Sequence, residues 1–353
     1  MNLVYDFLIA LPFLYFGLLA IAFGNWMLMK RPRGKDRPCF EVMIPARDEE
    51  ANIAKVIVPL VGNGVRVTIY DDDSSDRTAQ IAEECGALVM RPQQPLPDGW
   101  TGKNNACHQL SLVSTESWTV FLDADTIPAN DFVPRLSAFL RNCDPDTHVI
   151  SGFPKMLPGK GIEPAYLTWV SWILLSTNPF GLVSRLRLGH NRFTNGQFSA
   201  WRTACLHQVK PFECVKSEIL EDVRIGRLLG KLKIHVEVID MSEILSVQMY
   251  RNVKEAINGM SKNSGDIMGH PVASLLLVAL LLFIAWGWLL WGGYGLSILI
   301  VLLAGKLVTD RAVGSPLWVF LFAPFTITAG ALTILRSMYW KRKGKVEWKG
   351  RTY

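Results

Sequence analysis

Paired cysteines are what this sequence lacks most plainly. Its six cysteines, at positions 39, 85, 107, 143, 205 and 214, are scattered, and no two form a CxxC pair. Zinc sites and disulfide frameworks need closely spaced thiols, so reduced thiols and no zinc site are expected. Charge is absent from residues 7 to 29, FLIALPFLYFGLLAIAFGNWMLM. A basic n-region and an A-x-A-type site are missing too, which argues against a cleaved signal peptide. Nor is the net charge of +6 spread along the chain: much of the Lys and Arg excess sits in KRPRGKDR (30–37) and KRKGKVEWKGR (341–351), beside apolar stretches. Such clusters point to an anionic lipid surface before nucleic acid. No nucleic-acid partner and no obligate protein partner are inferred.

The apolar residues concentrate at the two ends. Residues 7 to 29 are long enough to cross a bilayer, which makes residues 1–30 an N-terminal anchor. The positive-inside rule puts the N-terminus outside and everything from residue 30 in the cytosol. Three further apolar stretches, 272–292, 294–308 and 316–335, place C-terminal membrane helices within 270–340, ahead of a basic tail at 341–353. A cytosolic tail requires an odd number of crossings, yet these candidates and the first sum to four. One segment is then re-entrant or interfacial, or the tail is outside. Either way a multi-pass protein of the cell membrane is expected.

Between the ends, residues 38–265 have the charge density of a soluble domain, and strand and helix signals alternate. FEVMIPA (40–46), VRVTIY (65–70), ALVMRP, WTVFLDAD and VISGFPKM (149–156) read as strands. RDEEANIAKVIVPLV, TAQIAEECG and residues 104–113 read as helices. Repeated βα units imply an α/β fold with a parallel sheet covered by helices on both faces. The aromatic-rich stretch 165–186 reads as a helix lying in a membrane interface or as a buried core helix. TNGQFSAWRTACLHQV reads as a glycine turn before a helix, and 247–263 as an amphipathic basic helix.

Ligands sit at the carboxyl ends of strands in such sheets, and acidic residues gather there. Asp123 and Asp125 follow the strand 119–122 one residue apart. They are solvated turn residues, or contacts to a ribose or to a divalent metal bridging a phosphorylated substrate. Asp71 to Asp76 form an Asp/Ser turn and helix cap, or else Asp71 or Asp72 accepts hydrogen bonds from a base or ribose. Lys103, in a Gly-rich loop, can reach a phosphate. Glu221 and Asp222 open a helix, where they favour its dipole or supply a general base. Arg251, with Gln248 one turn earlier, faces lipid headgroups or holds a leaving diphosphate.

In this order the motifs resemble family 2 glycosyltransferases of the GT-A fold. PARDEEANI (45–53) resembles the opening strand and loop, DDDSSDRT (71–78) the nucleotide-binding DDxSxDxT, and GWTGKNNA (99–106) the lysine loop of the lipid-modifying branch. FLDADT (121–126) is similar to the DxD strand, NGQF (195–198) to the glycine-glutamine turn and LEDVRIG (220–226) to the catalytic acid motif. One N-terminal span, a catalytic domain and C-terminal spans resemble carotenoid (diaponeurosporenoate-type), hopanoid-associated and, more distantly, ceramide glucosyltransferases. The resemblance implies a GT-A nucleotide-sugar-binding sheet. It implies that Asp72 contacts uracil or ribose, that Asp123 and Asp125 engage ribose and a Mg²⁺ or Mn²⁺, and that Asp222 is the base. Asp71, Lys103 and Arg251 fall on the donor side; Gly196, Gln197 and Glu221 fall on the acceptor side. The family's (Q/R)xxRW departs here to Gln248-Met-Tyr-Arg251-Asn252. Loss of that tryptophan speaks against polymer secretion and for a single transfer.

The expectation is therefore an inverting transfer of one hexose, glucose from UDP-glucose, to a membrane lipid in the cytosolic leaflet. Rival readings are a polyprenyl-phosphate or polysaccharide glycosyltransferase, and a non-catalytic nucleotide-sugar binder.

Overall fold

The computed structural model describes residues 3–187, 191–266, 268–343, 347–348 and 351–352; the rest of the basic tail lies outside the described residues. The chain starts with α1 (Leu3–Leu28), β1 (Phe40–Ala46), α2 (Ile53–Val61), β2 (Val67–Asp71), α3 (Thr78–Glu84), β3 (Leu88–Met90) and α4 (Gly102–Leu112). It continues with β4 (Trp118–Leu122), β5 (Thr126–Pro128), α5 (Phe132–Arg141), β6 (Val149–Phe153), β7 (Lys155–Met156), α6 (Glu163–Leu167), α7 (Trp169–Thr177) and α8 (Phe180–Leu186). Next come β8 (Phe198–Arg202), α9 (Thr203–Val209), α10 (Pro211–Cys214), α11 (Glu221–Lys231), β9 (Val236–Asp240) and β10 (Leu245–Val247). The helices α12 (Val253–Asn263), α13 (Pro271–Trp286), α14 (Gly295–Ala312) and α15 (Ala323–Arg342) follow.

Two compact units result: a sheet unit of residues 29–155 and 183–247, and a helical unit of residues 1–28, 156–182 and 248–353. Residues 156–182 and 248–265, inside the 38–265 stretch that reads as soluble in the sequence, thus fall in the helical unit.

The sheet unit is built on seven strands in the order β3-β2-β1-β4-β8-β6-β9. The sequence reading of an all-parallel sheet is corrected here, because β8 lies antiparallel between β4 and β6. FSAWR is that strand, where the sequence suggests only a turn before a helix. Phe198 and Ala200 bury completely there, so a central strand flanked on both sides gained no polar alternation to betray it. On α2, Ile53, Val56, Ile57 and Leu60 recur at helical spacing and are all sealed from solvent. They join Val42, Ile44, Ile69, Val120 and Leu122 in one core, each side chain stabilising by about 1.5–3 kcal/mol. The basic segment after α1 is partly consumed by this unit: Lys30 pairs with Glu237 at 3.3 Å and Arg31 with Asp240 at 2.7 Å.

In the helical unit α1 packs on α7 and α14, and α13 on α15. The stretch 165–186 breaks at its NPFG segment: α7 ends at Thr177 and α8 starts at Phe180. Asn25 of α1 serves that break. Its amide donates to the carbonyls of Leu175 (2.8 Å) and Asn178 (2.7 Å) and accepts from the N–H of Gly181 (2.9 Å). α1 is therefore stitched into the unit by polar contacts as well as by grease. Asn25→Leu takes this partner from the Leu175 carbonyl and the Gly181 N–H, at about 1–3 kcal/mol each, while the Asn178 carbonyl keeps the Phe180 N–H. A clear drop in the melting temperature of the detergent-solubilised protein is expected; an unchanged melting curve would refute this role.

Among the described residues two helical runs, Pro271–Ala312 and Leu317–Arg342, are long and apolar enough to cross a membrane. The first bends at Gly292, whose backbone leaves the helical region. The described apolar run of α1, Pro12–Leu28, is shorter than these.

Candidate functional site

β1 pairs in parallel with β2 and β4, with Ala46 opposite Asp71 and Met43 opposite Phe121. The carboxyl ends of these three strands therefore share one sheet edge, and the chain's acids follow them. Asp71 and Asp72 end β2, both buried. Asp71 Oδ1 has no hydrogen-bond partner among the described residues, and burial pushes the carboxyl above its usual range. Arg47, just past β1, sets Nη1 3.7 Å from Asp72 Oδ2. Asp76, by contrast, is a cap: it accepts from Thr78 N–H at 2.9 Å and Glu50 N–H at 3.1 Å.

Lys103 is not in a flexible loop, as the glycines around it suggest. It sits in the first turn of α4, whose Thr101 side chain caps the Asn104 N–H. From there its ammonium reaches Asp123 Oδ1 and Glu221 Oε1, each at 2.8 Å. Burial alone would lower its pKa, but the Asp123 and Glu221 carboxylates outweigh it and hold the ammonium well above the ordinary lysine value.

Glu221 and Asp222 open α11 as the sequence suggests. The helix comes close because Gly226 has no side chain: a Cβ there would lie 2.7 Å from the Arg192 carbonyl oxygen. Thr194 Oγ1 donates to the Asp222 carbonyl at 2.7 Å, and the Val223 N–H to Asp222 Oδ1 at 2.7 Å. The Gly196 N–H also serves the Asp222 carboxylate. Desolvation, then the charge of Glu221, raise Asp222 to a pKa of about 6.

Lys103, Asp123, Asn195, Gly196, Glu221 and Asp222 line one cavity, with Phe121 and Phe212 in its wall. The Asn195 side chain orients the turn by donating to the Gly152 carbonyl at 3.0 Å and accepting from Gln197 N–H at 3.1 Å. Gln197 reaches Asp123 through its backbone, as acceptor for the Asp123 N–H at 3.4 Å. Gly196→Ala would put a Cβ 3.1 Å from Lys103 Nζ and 3.2 Å from Glu221 Oε1. A ground-state shift of that size is expected to cost activity by up to about 10²-fold with little loss of melting temperature. Full activity in the purified variant would show the turn to be slack.

Asp125 is the acid best suited to a cation. Its Oδ1 is sealed off without a hydrogen-bond partner among the described residues. Burial, then the charges of Asp123 and Glu49, raise it to a pKa of about 7. Both oxygens of Asp123 lie within 3.1 Å of Lys103 instead. Among the described residues no three His, Cys, Asp or Glu side chains form a metal cage on their own. A single carboxylate with substrate phosphates completing the shell is nevertheless how Mg²⁺ is commonly held, so the donor set fits.

Arg251 belongs to the helical unit. It and Gln248 do not share a helix face, because α12 starts only at Val253, with Asn252 as its cap. Sequence reasoning passes over Arg47, whose only signal is a cation directly after a strand that faces an acid-rich edge.

Residues 41–199 match the model described as Glycosyl transferase family 2. The chain is 25% identical over 240 residues to 4,4'-diaponeurosporenoate glycosyltransferase of Staphylococcus haemolyticus, covering 66% of this chain and 63% of that one. The chain thus spans less than two thirds of that curated relative. The Staphylococcus aureus (strain USA300) protein of the same name is 33% identical over 86 residues, 24% of this chain and 23% of its own. Glucosyl-3-phosphoglycerate synthase from Mycobacterium tuberculosis, in complex with Mn²⁺, uridine diphosphate and glucosyl-3-phosphoglycerate, superposes with a TM-score of 0.46. That match has 20% identity and covers 70% of this chain and 86% of that one.

Proposed function

We propose that the family 2 glycosyltransferase domain formed by residues 41–199, completed by α11, transfers one hexose with inversion from a nucleotide sugar to a lipid hydroxyl or carboxyl. The donor is UDP-glucose and the acceptor an isoprenoid or sphingolipid-like molecule of the cytosolic leaflet. The domain has the GT-A fold, and α1 with the C-terminal helices anchors it as a multi-pass protein of the cell membrane.

One observation carries the reading: a single ammonium, Lys103, meets Asp123 and Glu221 beside Asp222 in one partly closed cavity. Asp222 takes the proton from the acceptor oxygen as that oxygen attacks the anomeric carbon from the face opposite the diphosphate. Lys103 supplies positive charge where the departing diphosphate gathers negative charge. Asp71 and Asp72 hold the nucleoside at the end of β2, and Asp123 meets the ribose. Asp125, with Asp123 beside it, would hold a Mg²⁺ or Mn²⁺, which when bound neutralises diphosphate charge. Gly196 and Gln197 shape the acceptor side. Attachment to the bilayer supplies proximity to a lipid acceptor. The names of the staphylococcal relatives, which specify a carotenoid acid, support an acceptor of this class.

The test is mass spectrometry of total lipids from cells with and without the gene, repeated on membranes fed labelled UDP-glucose. A hexose-bearing lipid that depends on the gene is expected. Label recovered only in polyprenyl phosphate or in polymer would overturn the single-transfer reading.

A further inference from the structure

Three elements converge on Lys103. The ammonium leaves the first turn of α4, meets Asp123 Oδ1 at the end of β4 at 2.8 Å and Glu221 Oε1 at the start of α11 at 2.8 Å. A lysine stem carries four rotatable carbons and is a poor pointer by itself. One carboxylate would leave it free to swing about that contact; two from different elements fix it. Glu221 and Asp222 are neighbours on one helical turn, so their side chains point about 100° apart. Whatever holds Glu221 therefore also sets the rotation of Asp222.

We propose that Glu221 is a positioning residue: it locks the Lys103 ammonium between β4 and α11 and so aims Asp222, without itself touching the acceptor. This rests on the glycosyl-transfer reading above for its kinetic consequence and on geometry alone for the lock. The groups around Asp222 are few. Glu221 lies on its own helix, Lys103 and Cys107 come from α4, and Asp123 comes from β4. The turn 194–196 contributes backbone N–H and no charge, and α10 contributes only Phe212 to the cavity. Of the charges acting on Asp222, Glu221 raises its pKa most and Lys103 opposes it.

The experiment has two arms on the purified full-length protein. In the first, the rate of amine methylation at Lys103 at one fixed pH is compared by mass spectrometry in the wild type and Glu221→Gln. A side chain released from one of its two carboxylates is expected to be modified several-fold faster; an unchanged rate overturns the lock. In the second arm, Glu221→Gln is expected to lower kcat by about 10²-fold with little change in either KM. The acidic limb of its rate profile should move to lower pH, because a negative charge beside Asp222 is gone, and Glu221→Asp should recover part of the rate. A rise confined to acceptor KM would make Glu221 an acceptor contact and overturn the proposal. So would an unmoved limb. Should the wild type transfer no sugar at all, the functional reading fails while the labelling arm still decides the lock.

Discussion

Asp222→Asn is expected to lower the rate of lipid glycosylation by about 10²–10⁴-fold while leaving binding of UDP nearly intact. The substitution keeps the volume and the hydrogen bond from the Val223 N–H but removes the carboxylate that the proposed mechanism uses to take a proton. The sign of the pH dependence follows from its surroundings. Desolvation and then the Glu221 charge hold the folded carboxyl at about 6. A base works when deprotonated, so the wild-type rate should rise with pH through about 6 and level off above it. Asp125 titrates near 7 in the absence of a cation, and a bound metal favours its charged form. Raising the metal concentration should therefore move a limb due to Asp125 and leave one due to Asp222 in place. Transfer kinetics measured across pH at two metal concentrations, beside calorimetry with UDP, check all of this. Substantial transfer by Asp222→Asn would remove the base from the mechanism.

Much of this site could be read from the chain. FEVMIPA, VRVTIY and WTVFLDAD are apolar runs that stop at charge, and a buried strand must stop where its backbone emerges into a polar edge; local pattern and tertiary position therefore agreed. The acids opening α11 were equally legible, since the helix dipole and the apolar spacing after them point the same way. What escaped depended on partners distant in sequence or on a cap overlooked. The insertion of β8 between β4 and β6 is a pairing across tens of residues that no local pattern encodes. The helical position of Lys103, though not its candidacy for the site, is masked by Gly102, which suggests a loop, although Thr101 before it is an ordinary N-cap residue. The start of α12 had a usable signal. Asn252 accepts from the Glu255 N–H at 3.1 Å and donates to the Glu255 side chain at 2.7 Å, a capping pair three residues apart. Asn252, which ends the segment Gln248-Met-Tyr-Arg251-Asn252, is thus a helix cap, and Arg251 precedes the helix.

A second large effect is expected in the helical unit, where α14 carries a charged pair in apolar surroundings. Lys306 is sealed from solvent, pairs with Asp310 one turn on, and donates to Thr168 Oγ1 at 2.9 Å at the junction of α6 and α7. Asp310 Oδ2 has no hydrogen-bond partner among the described residues. Removing either member alone strands the other charge in a medium that cannot solvate it. Lys306→Met or Asp310→Leu should each destabilise by about 3–5 kcal/mol. The double variant exchanges the pair for packed apolar atoms and is expected to recover most of that loss, because an intact buried pair returns little more than its desolvation cost. Thermal unfolding of the four proteins in one detergent gives the coupling energy directly. Additive losses in the double variant would mean that each residue has a separate partner. If instead the double variant folds as well as the wild type yet transfers no sugar, the pair is retained for the geometry of the α6–α7 junction, which Thr168 hands to α14, and not for stability.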